Sequence, residues 1–140
     1  MKKGNCTLAT GHEETFVPRQ HRTITLPVVI NGVRCVMILD TGASFVSLKR
    51  TFAQKASVAV DQDSTVQLHT ANGIAGGKLG RASTIQLRSL QAEGVAAVVQ
   101  DDAKATFGNG VDGLLGMSFL SRFKVTIDPQ AVRIASRQPK

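Results

Sequence analysis

The sequence predicts a mostly β domain, closed into a barrel, with one or two short helices. Many short β-rich runs follow one another along the chain, each bounded by turn residues, and strands do not alternate with long helices. The chain has 140 residues, of which 42% are hydrophobic and 19% charged, so one folded domain is expected and a disordered chain is excluded. Because there are six Phe and neither Trp nor Tyr, the core must be mainly aliphatic.

A hairpin opens the folded region. Residues 23–30 and 33–39 are both rich in β-branched and aliphatic side chains, and Asn31-Gly32 joins them. A type I′ turn needs positive φ at both central residues, and Asn-Gly is the pair that supplies this most readily. Pro27 lacks a backbone N–H, which places part of the first strand at a sheet edge or a bulge.

The remaining elements are predicted from hydrophobic periodicity. Residues 47–56 fit one short helix that is capped by Ser47 and has Leu48, Phe52 and Ala56 on one face. A Gly-rich stretch at 73–80 separates two alternating runs and fits a long, flexible hairpin loop. The other predicted elements are strands at 66–70, 85–87 and 95–99, a helical turn at 116–122, and a hairpin with strands at 124–127 and 132–134.

The predicted domain covers residues 21–136. Residues 1–20 are a polar leader, expected to be flexible, and residues 137–140 are a basic tail. No apolar run approaches the roughly 18 residues of a membrane-spanning helix. The basic start at residues 1–3 is followed by no apolar segment, so no signal peptide is expected. The compartment stays open between cytoplasm and periplasm.

The net charge of +7 comes from 17 Lys and Arg against 10 Asp and Glu. These cations are scattered along the chain, and the Phe residues do not alternate with them as in a surface that stacks nucleic-acid bases. A solvated basic face therefore explains the charge better than dedicated nucleic-acid binding, which is kept as the least favoured function.

No metal and no cofactor is predicted. The two cysteines, Cys6 and Cys35, and the three histidines lack the spacing of metal ligands. Cys35 lies in an apolar run and is expected to be a small buried hydrophobe, whereas Cys6 is expected to be a free thiol. A bridge between the two is possible, but nothing in the sequence favours it.

Two partial motifs lack the neighbouring residues that their usual functions require. Residues 108–113 match G-x-G-x-x-G, but the polar residues 101–106 stand where a dinucleotide-binding site needs an apolar strand. Gly116-Met117-Ser118 begins like a nucleophile elbow, but Leu120 replaces the closing glycine.

Asp40-Thr41-Gly42 is the motif that carries chemistry. It follows the apolar residues 36–39, so a carboxylate is placed where a buried strand gives way to a turn. Thr41 can donate a hydroxyl, and the Gly42 N–H can approach the carboxylate closely. The alternative is an Asx-type turn in which Asp40 bonds only its own backbone.

Downstream, Val111-Asp112-Gly113-Leu114-Leu115-Gly116 runs into the predicted helical turn, and the stretch between the two motifs has the pattern of a hairpin. In this order the chain resembles the retropepsin-like aspartic proteases, and the bacterial branch most, over about residues 22–135. The resemblance implies a retropepsin (acid protease) fold and an endopeptidase that uses no cofactor.

The resemblance also assigns roles. Asp40 would be catalytic, while Thr41 and Gly42 would support the active-site turn. Ala43 and Ser44 would contact substrate, together with Thr70, Ala71, Asn72 and Gly73 of a flap over the cleft. Ala43 stands where pepsin-like enzymes often have Ser. This change removes one hydroxyl bond to the carboxylate and implies a pH optimum less acidic than that of pepsin. Ser44 stands where the retroviral enzymes usually have Asp.

Only one Asp-Thr-Gly is present, whereas peptide hydrolysis by carboxylates needs two that share a proton. The predicted partners are therefore a second copy of the chain, which supplies its own Asp40, and an extended peptide substrate. Residues near Phe16-Val17 and at 133–135 are candidates for terminal strands of the kind that retroviral enzymes interleave on dimerisation. The alternative function is a catalytically silent dimerisation or binding module of the same fold.

Overall fold

The structure, a computed structural model, describes residues 12–17, 24–70, 73–102, 107 and 110–136. Strands and two short helices make up most of this part of the chain. In chain order they are β1 (Glu13–Phe16), β2 (Thr25–Ile30), β3 (Val33–Leu39), β4 (Val46–Lys49), α1 (Arg50–Lys55), β5 (Ala59–Val60), β6 (Val66–Thr70), β7 (Gly73–Leu87), β8 (Leu90–Gln100), β9 (Gly113–Leu115), α2 (Met117–Leu120), β10 (Phe123–Asp128) and β11 (Ala131–Ser136).

Six of the described strands close into a barrel in the order β2-β3-β9-β4-β8-β7. The ring closes where β7 returns to β2, with Val29 paired to Gln86 and Ile30 to Ile85. Two neighbouring pairs are parallel, β3 with β9 and β4 with β8, and the other pairs are antiparallel. The predicted mostly β, closed barrel with short helices is confirmed.

The first hairpin follows the predicted geometry. Asn31 and Gly32 both have positive φ, 51° and 83°, as a type I′ turn requires. Alternate residues of β2 (Leu26, Val28 and Ile30) are buried in the core. Pro27 pairs only with β3, because β7 joins β2 at its last two residues, so the proline lies on a free edge as expected.

The predicted helix at residues 47–56 is wrong at its start. Residues 46–49 form β4, which pairs with β8 on one side and β9 on the other, and α1 begins at Arg50. Ser47 is 2% exposed within this sheet and caps no helix. The carboxylate at the start of α1 instead comes from Asp102, whose Oδ1 accepts a hydrogen bond from the Thr51 N–H at 3.0 Å.

The Gly-rich stretch is also not a loop. From Gly73 onward it belongs to β7, a 15-residue strand that pairs in turn with β6, β5, β8 and β2. A Cβ on Gly80 would lie 2.6 Å from the Ala59 carbonyl oxygen, and a Cβ on Gly77 would overlap the Val98 side chain. At Gly77 and Gly80, glycine is therefore needed because β8 and β5 approach β7 closely, rather than for mobility.

Part of the predicted leader belongs to the fold. Strand β1 pairs with β11, and β11 with β10, to give a second sheet of three described strands. Phe16 is buried, and the Arg88 guanidinium lies 4.5 Å from the centre of its ring. Glu14 accepts a hydrogen bond from the Ser89 hydroxyl at 2.6 Å. Most of the leader, including Cys6, and the whole tail at 137–140 lie outside the described residues.

The core fills the barrel and extends to the second sheet, where the rings of Phe119 and Phe123 pack with their centres 4.9 Å apart. Cys35 is 7% exposed, which confirms its expected place in the core. Within the described residues, no helix has the length and apolar character needed to cross a lipid bilayer.

Candidate active site

Asp40 follows the last residue of β3, at the point where that strand leaves the barrel. Leu39 pairs with Leu115 of the parallel strand β9, and the Asp40 N–H then donates to the Leu115 carbonyl oxygen at 3.1 Å. Asp40 is half-buried, and its Oδ1 accepts a hydrogen bond from the Gly42 N–H at 3.0 Å. The backbone therefore fixes both the position and the orientation of this side chain.

The residues after Asp40 form a tight, mostly exposed turn. Ala43 donates its N–H to the Asp40 carbonyl oxygen at 3.3 Å and is half-buried, whereas Thr41, Gly42 and Ser44 are exposed. The bond from Gly42 to Asp40 is also the bond expected of an Asx-type turn. That local bond is therefore compatible with both predicted interpretations, and the surroundings of the turn must distinguish them.

Residues 115–118, which we call the cradle segment, hold the loop at residues 40–46 along its length. The Leu115 carbonyl accepts from Asp40, and the Met117 N–H donates to the Ala43 carbonyl at 2.7 Å. The Ser118 hydroxyl accepts from the Val46 N–H at 2.8 Å. The two motifs found in the sequence are thus two sides of one structural unit.

Gly116 lies within the cradle segment at a close approach of two backbones. A Cβ at this position would overlap the Phe45 carbonyl oxygen and would lie 2.7 Å from the Phe45 carbonyl carbon and 2.8 Å from the Ala43 oxygen. Gly113, at the other end of β9, is similarly pressed against the backbone of Ser47. These contacts explain why glycines precede and follow the pair Leu114-Leu115.

Asp112, the acidic residue of the second motif, has a structural role. Its Oδ2 accepts from the Val36 N–H at 3.0 Å, its own N–H donates to the Val36 carbonyl at 2.7 Å, and its carbonyl accepts from Lys49 at 3.0 Å. Asp112 therefore ties β3 to β4 at the end of β9 that is remote from Asp40. The sequence carried no signal for this role beyond the absence of a Thr after Asp112.

The thiol near Asp112 is not poised for reaction. Burial raises the pKa of Cys35 to about 12, and the negative charge of Asp112 adds to this effect. Because the thiolate is the reactive form, Cys35 stays inert at ordinary pH.

The predicted substrate-binding residues fall in two places. Ala43 and Ser44 lie in the turn after Asp40, while Thr70 and Gly73 are paired with each other at the ends of β6 and β7. Ala71 and Asn72 lie between these ends, outside the described residues. The hydrogen bonds of the described residues do not join the β6–β7 hairpin to the Asp40 turn.

A cavity of about 350 Å³ lies between α1, β5 and the base of the β6–β7 hairpin. Ala53, Val58 and Val99 contribute apolar walls, and Arg50 and Lys78 also line it. None of its lining residues belongs to the loop at 40–46 or to the cradle segment. It is therefore separate from the site built around Asp40.

The family model described as "gag-polyprotein putative aspartyl protease" matches residues 26–122, a span that contains Asp40, its turn and the cradle segment. The chain belongs to the retropepsin-like aspartic protease family. No curated protein sequence matches it. Family membership agrees with the resemblance that the two sequence motifs indicated.

Solved structures show the same retropepsin-like fold. A retropepsin-like aspartic protease from Rickettsia conorii is 21% identical, with 90% of this chain and 91% of that one covered and a TM-score of 0.65. EIAV protease, solved with the inhibitor HBY-793, is 18% identical over 74% of this chain and 90% of that one, with a TM-score of 0.56. The retroviral protease-like domain of Ddi1 from Leishmania major is 18% identical over 79% and 80%, with a TM-score of 0.53.

Proposed function

We propose that this retropepsin-like chain is an aspartic endopeptidase that works as a homodimer, with one Asp40 from each copy. The observation that carries the proposal is the placement of the Asp40 carboxylate at the end of β3, where Gly42 and Leu115 fix it within an exposed turn. A turn that served only to reverse the chain would not need a second segment to hold it along its length.

The chemistry requires two carboxylates that share one proton. The ionised carboxylate takes a proton from water as the water oxygen attacks the scissile carbonyl carbon, and the protonated carboxyl donates a hydrogen bond to the carbonyl oxygen. Breakdown of the tetrahedral intermediate passes a proton to the leaving nitrogen as the C–N bond breaks. Asp112 is occupied in joining β3 to β4, so the second carboxylate of the pair is assigned to Asp40 of another copy across a two-fold axis.

The exposed turn supports this arrangement. Thr41, Gly42 and Ser44 face outward in the single chain, as residues that meet a partner or a substrate must. Thr41 and Gly42 are the supporting residues of the dyad, and Ala43 and Ser44 contact substrate. An extended peptide would add as a strand beneath the flap, which comprises the β6–β7 hairpin and the predicted flap residues Thr70, Ala71, Asn72 and Gly73.

Cleavage of an unbiased peptide mixture, scanned from acid to neutral pH, tests the proposal. Asp40→Asn is nearly isosteric and removes the shared proton chemistry, while Asp63→Asn makes the same change at an exposed surface residue. The proposal predicts cuts by the wild type and by Asp63→Asn that are absent with Asp40→Asn. Because Ala43 cannot donate a hydroxyl bond to the carboxylate, some of that activity should persist above about pH 4.

Three results would contradict the proposal. Cuts by all three proteins would mean a contaminant or another active site. Light scattering that finds a strict monomer at high protein concentration would exclude a dyad made by two copies. An absence of cuts from wild-type protein shown to be folded and dimeric would instead favour the binding module.

A further inference from the structure

The Ser118 side chain sits where strands β4 and β8 separate. The parallel pairing of these strands starts at Val46 and Ala97, and the chain before Val46 turns away as the loop that carries Asp40. The Ser118 hydroxyl accepts a hydrogen bond from the Val46 N–H at 2.8 Å and donates one to the Ala96 carbonyl oxygen at 2.6 Å. It therefore bridges the two strands at the end of their pairing, from Val46 of the last direct pair to Ala96, the residue before Val46's partner Ala97.

This bridge solves a local problem of the fold. A backbone N–H or C=O that loses its strand partner away from water costs free energy unless another group satisfies it. A hydroxyl can accept and donate at once, so one serine satisfies the Val46 N–H and the Ala96 carbonyl together. The strands can then splay apart without leaving either group unpaired, and the chain before Val46 is free to form the active-site loop.

The same contacts show that Ser118 is not the nucleophile that the partial motif Gly116-Met117-Ser118 suggested. Its proton is directed to a backbone carbonyl, and its oxygen accepts from a backbone amide. A serine nucleophile needs its proton directed to a general base instead. The hydroxyl of Ser118 is thus committed to structure.

We propose that Ser118 is a positioning residue that sets the placement of the Asp40 carboxylate, an inference that rests on the proposed protease function. The loop at 40–46 is anchored at its first residue by Leu115 and at its last by Ser118. Because the loop is short and Val46 begins β4, loss of the Ser118 bond frees the Val46 N–H and shifts the end of the loop, and with it the turn. Displacement of a reacting group by about 1 Å can cost on the order of 100-fold in rate.

Peptide cleavage by Ser118→Ala tests this role against a matched control. Ser89→Ala removes a hydroxyl bond of the same length, 2.6 Å, but at Glu14 on the strand β1, outside the active-site loop. Ser118→Ala is expected to lower kcat by about 10- to 100-fold with a smaller change in KM, whereas Ser89→Ala should leave kcat unchanged. Ser118→Thr keeps the hydroxyl and should restore most of the lost rate.

Hydrogen exchange at single backbone amides gives a readout that does not depend on activity. The Val46 amide should exchange faster in Ser118→Ala than in wild type or Ser118→Thr. The Lys49 amide, which donates to the Asp112 carbonyl at 3.0 Å in the same strand, should keep its protection and serves as the internal reference. If Ser118→Ala does not fold, Ser118→Cys, with its weak hydrogen-bonding group, carries the same comparison.

The outcomes separate this inference from the proposed function. Faster Val46 exchange together with the loss of kcat supports the positioning role. Unchanged Val46 exchange would overturn the anchor itself, and faster exchange with unchanged kcat would reduce Ser118 to a purely structural residue. A wild-type protein without activity would contradict the protease and, with it, any catalytic effect of Ser118, while the exchange data would still report whether the anchor exists.

Discussion

Gly116→Ala is a minimal change that disrupts the close contact between the cradle segment and the active-site turn. The added Cβ would lie 2.7 Å from the Phe45 carbonyl carbon and 2.8 Å from the Ala43 oxygen, and ordinary contacts begin at 3.4 Å. Restoring an ordinary contact with the Phe45 carbonyl carbon alone takes a movement of about 0.7 Å, and the overlapped Phe45 oxygen requires more. Neither contact is with a flexible side chain that could swing away, so the turn after Asp40 has to shift.

This shift should affect both stability and activity. Overpacking of a rigid contact costs about 1–3 kcal/mol of unfolding free energy. A displacement near 1 Å at the catalytic group lowers kcat/KM by up to about 100-fold. Urea unfolding and peptide cleavage measure the two effects, and they should appear together because one displacement causes both.

Gly76→Ala is the matched control, because a Cβ there meets no atom within 4 Å and its backbone has no positive φ. Its unfolding free energy should stay within about 1 kcal/mol of wild type. If Gly116→Ala matched wild type in both stability and kcat/KM, the close contact between Gly116 and the turn would be refuted. Loss of stability in both variants would mean that any added methyl is harmful, and that this contact is not special.

Two further predictions concern groups with shifted pKa values. The Ser89 hydroxyl bond, aided by Arg88, lowers the pKa of Glu14 from its ordinary 4.5, so the stability it contributes is present above that value and is lost as the pH falls through the lowered one. Glu14→Gln should therefore lower the melting temperature at pH 7 and have little effect once the pH is below the lowered pKa. An equal loss of melting temperature at both pH values would contradict the ionic role. Cys35, with its pKa raised to about 12, should resist alkylation at pH 8 in a Cys6→Ser background until the protein is unfolded, and rapid labelling of the native protein would contradict its burial.

The elements that the sequence predicted well are those set by neighbouring residues. Asn31-Gly32 dictates its own turn because both residues accept positive φ, and Asp40 follows an apolar run that favours a strand. The local pattern singled out Asp40, whereas its predicted catalytic role also needed the downstream motif at residues 111–116 and the family resemblance. Its half-burial and its bond from Gly42 agree with that placement.

The elements that the sequence missed are decided by distant residues. Ser47 looks like a helix cap, yet β8 and β9 enclose residues 46–49 from both sides and draw them into the sheet. Residues 13–16 look like leader, and the sequence offered Phe16-Val17 only as a candidate for pairing between copies. They form a strand within the chain because β11 offers an edge. The bridging role of Ser118 gave no signal in the sequence, because its two hydrogen-bond partners lie 72 and 22 residues away.

Mixing wild-type protein with Asp40→Asn tests the central claim most directly. If the dyad forms across two copies, random exchange leaves only wild-type homodimers active, so cleavage falls with the square of the wild-type fraction, to about a quarter at an equal mixture. The account predicts this quadratic loss at constant total protein after the subunits have exchanged. A linear loss, to about half at an equal mixture, would show that each chain works alone and would contradict a shared Asp40 site.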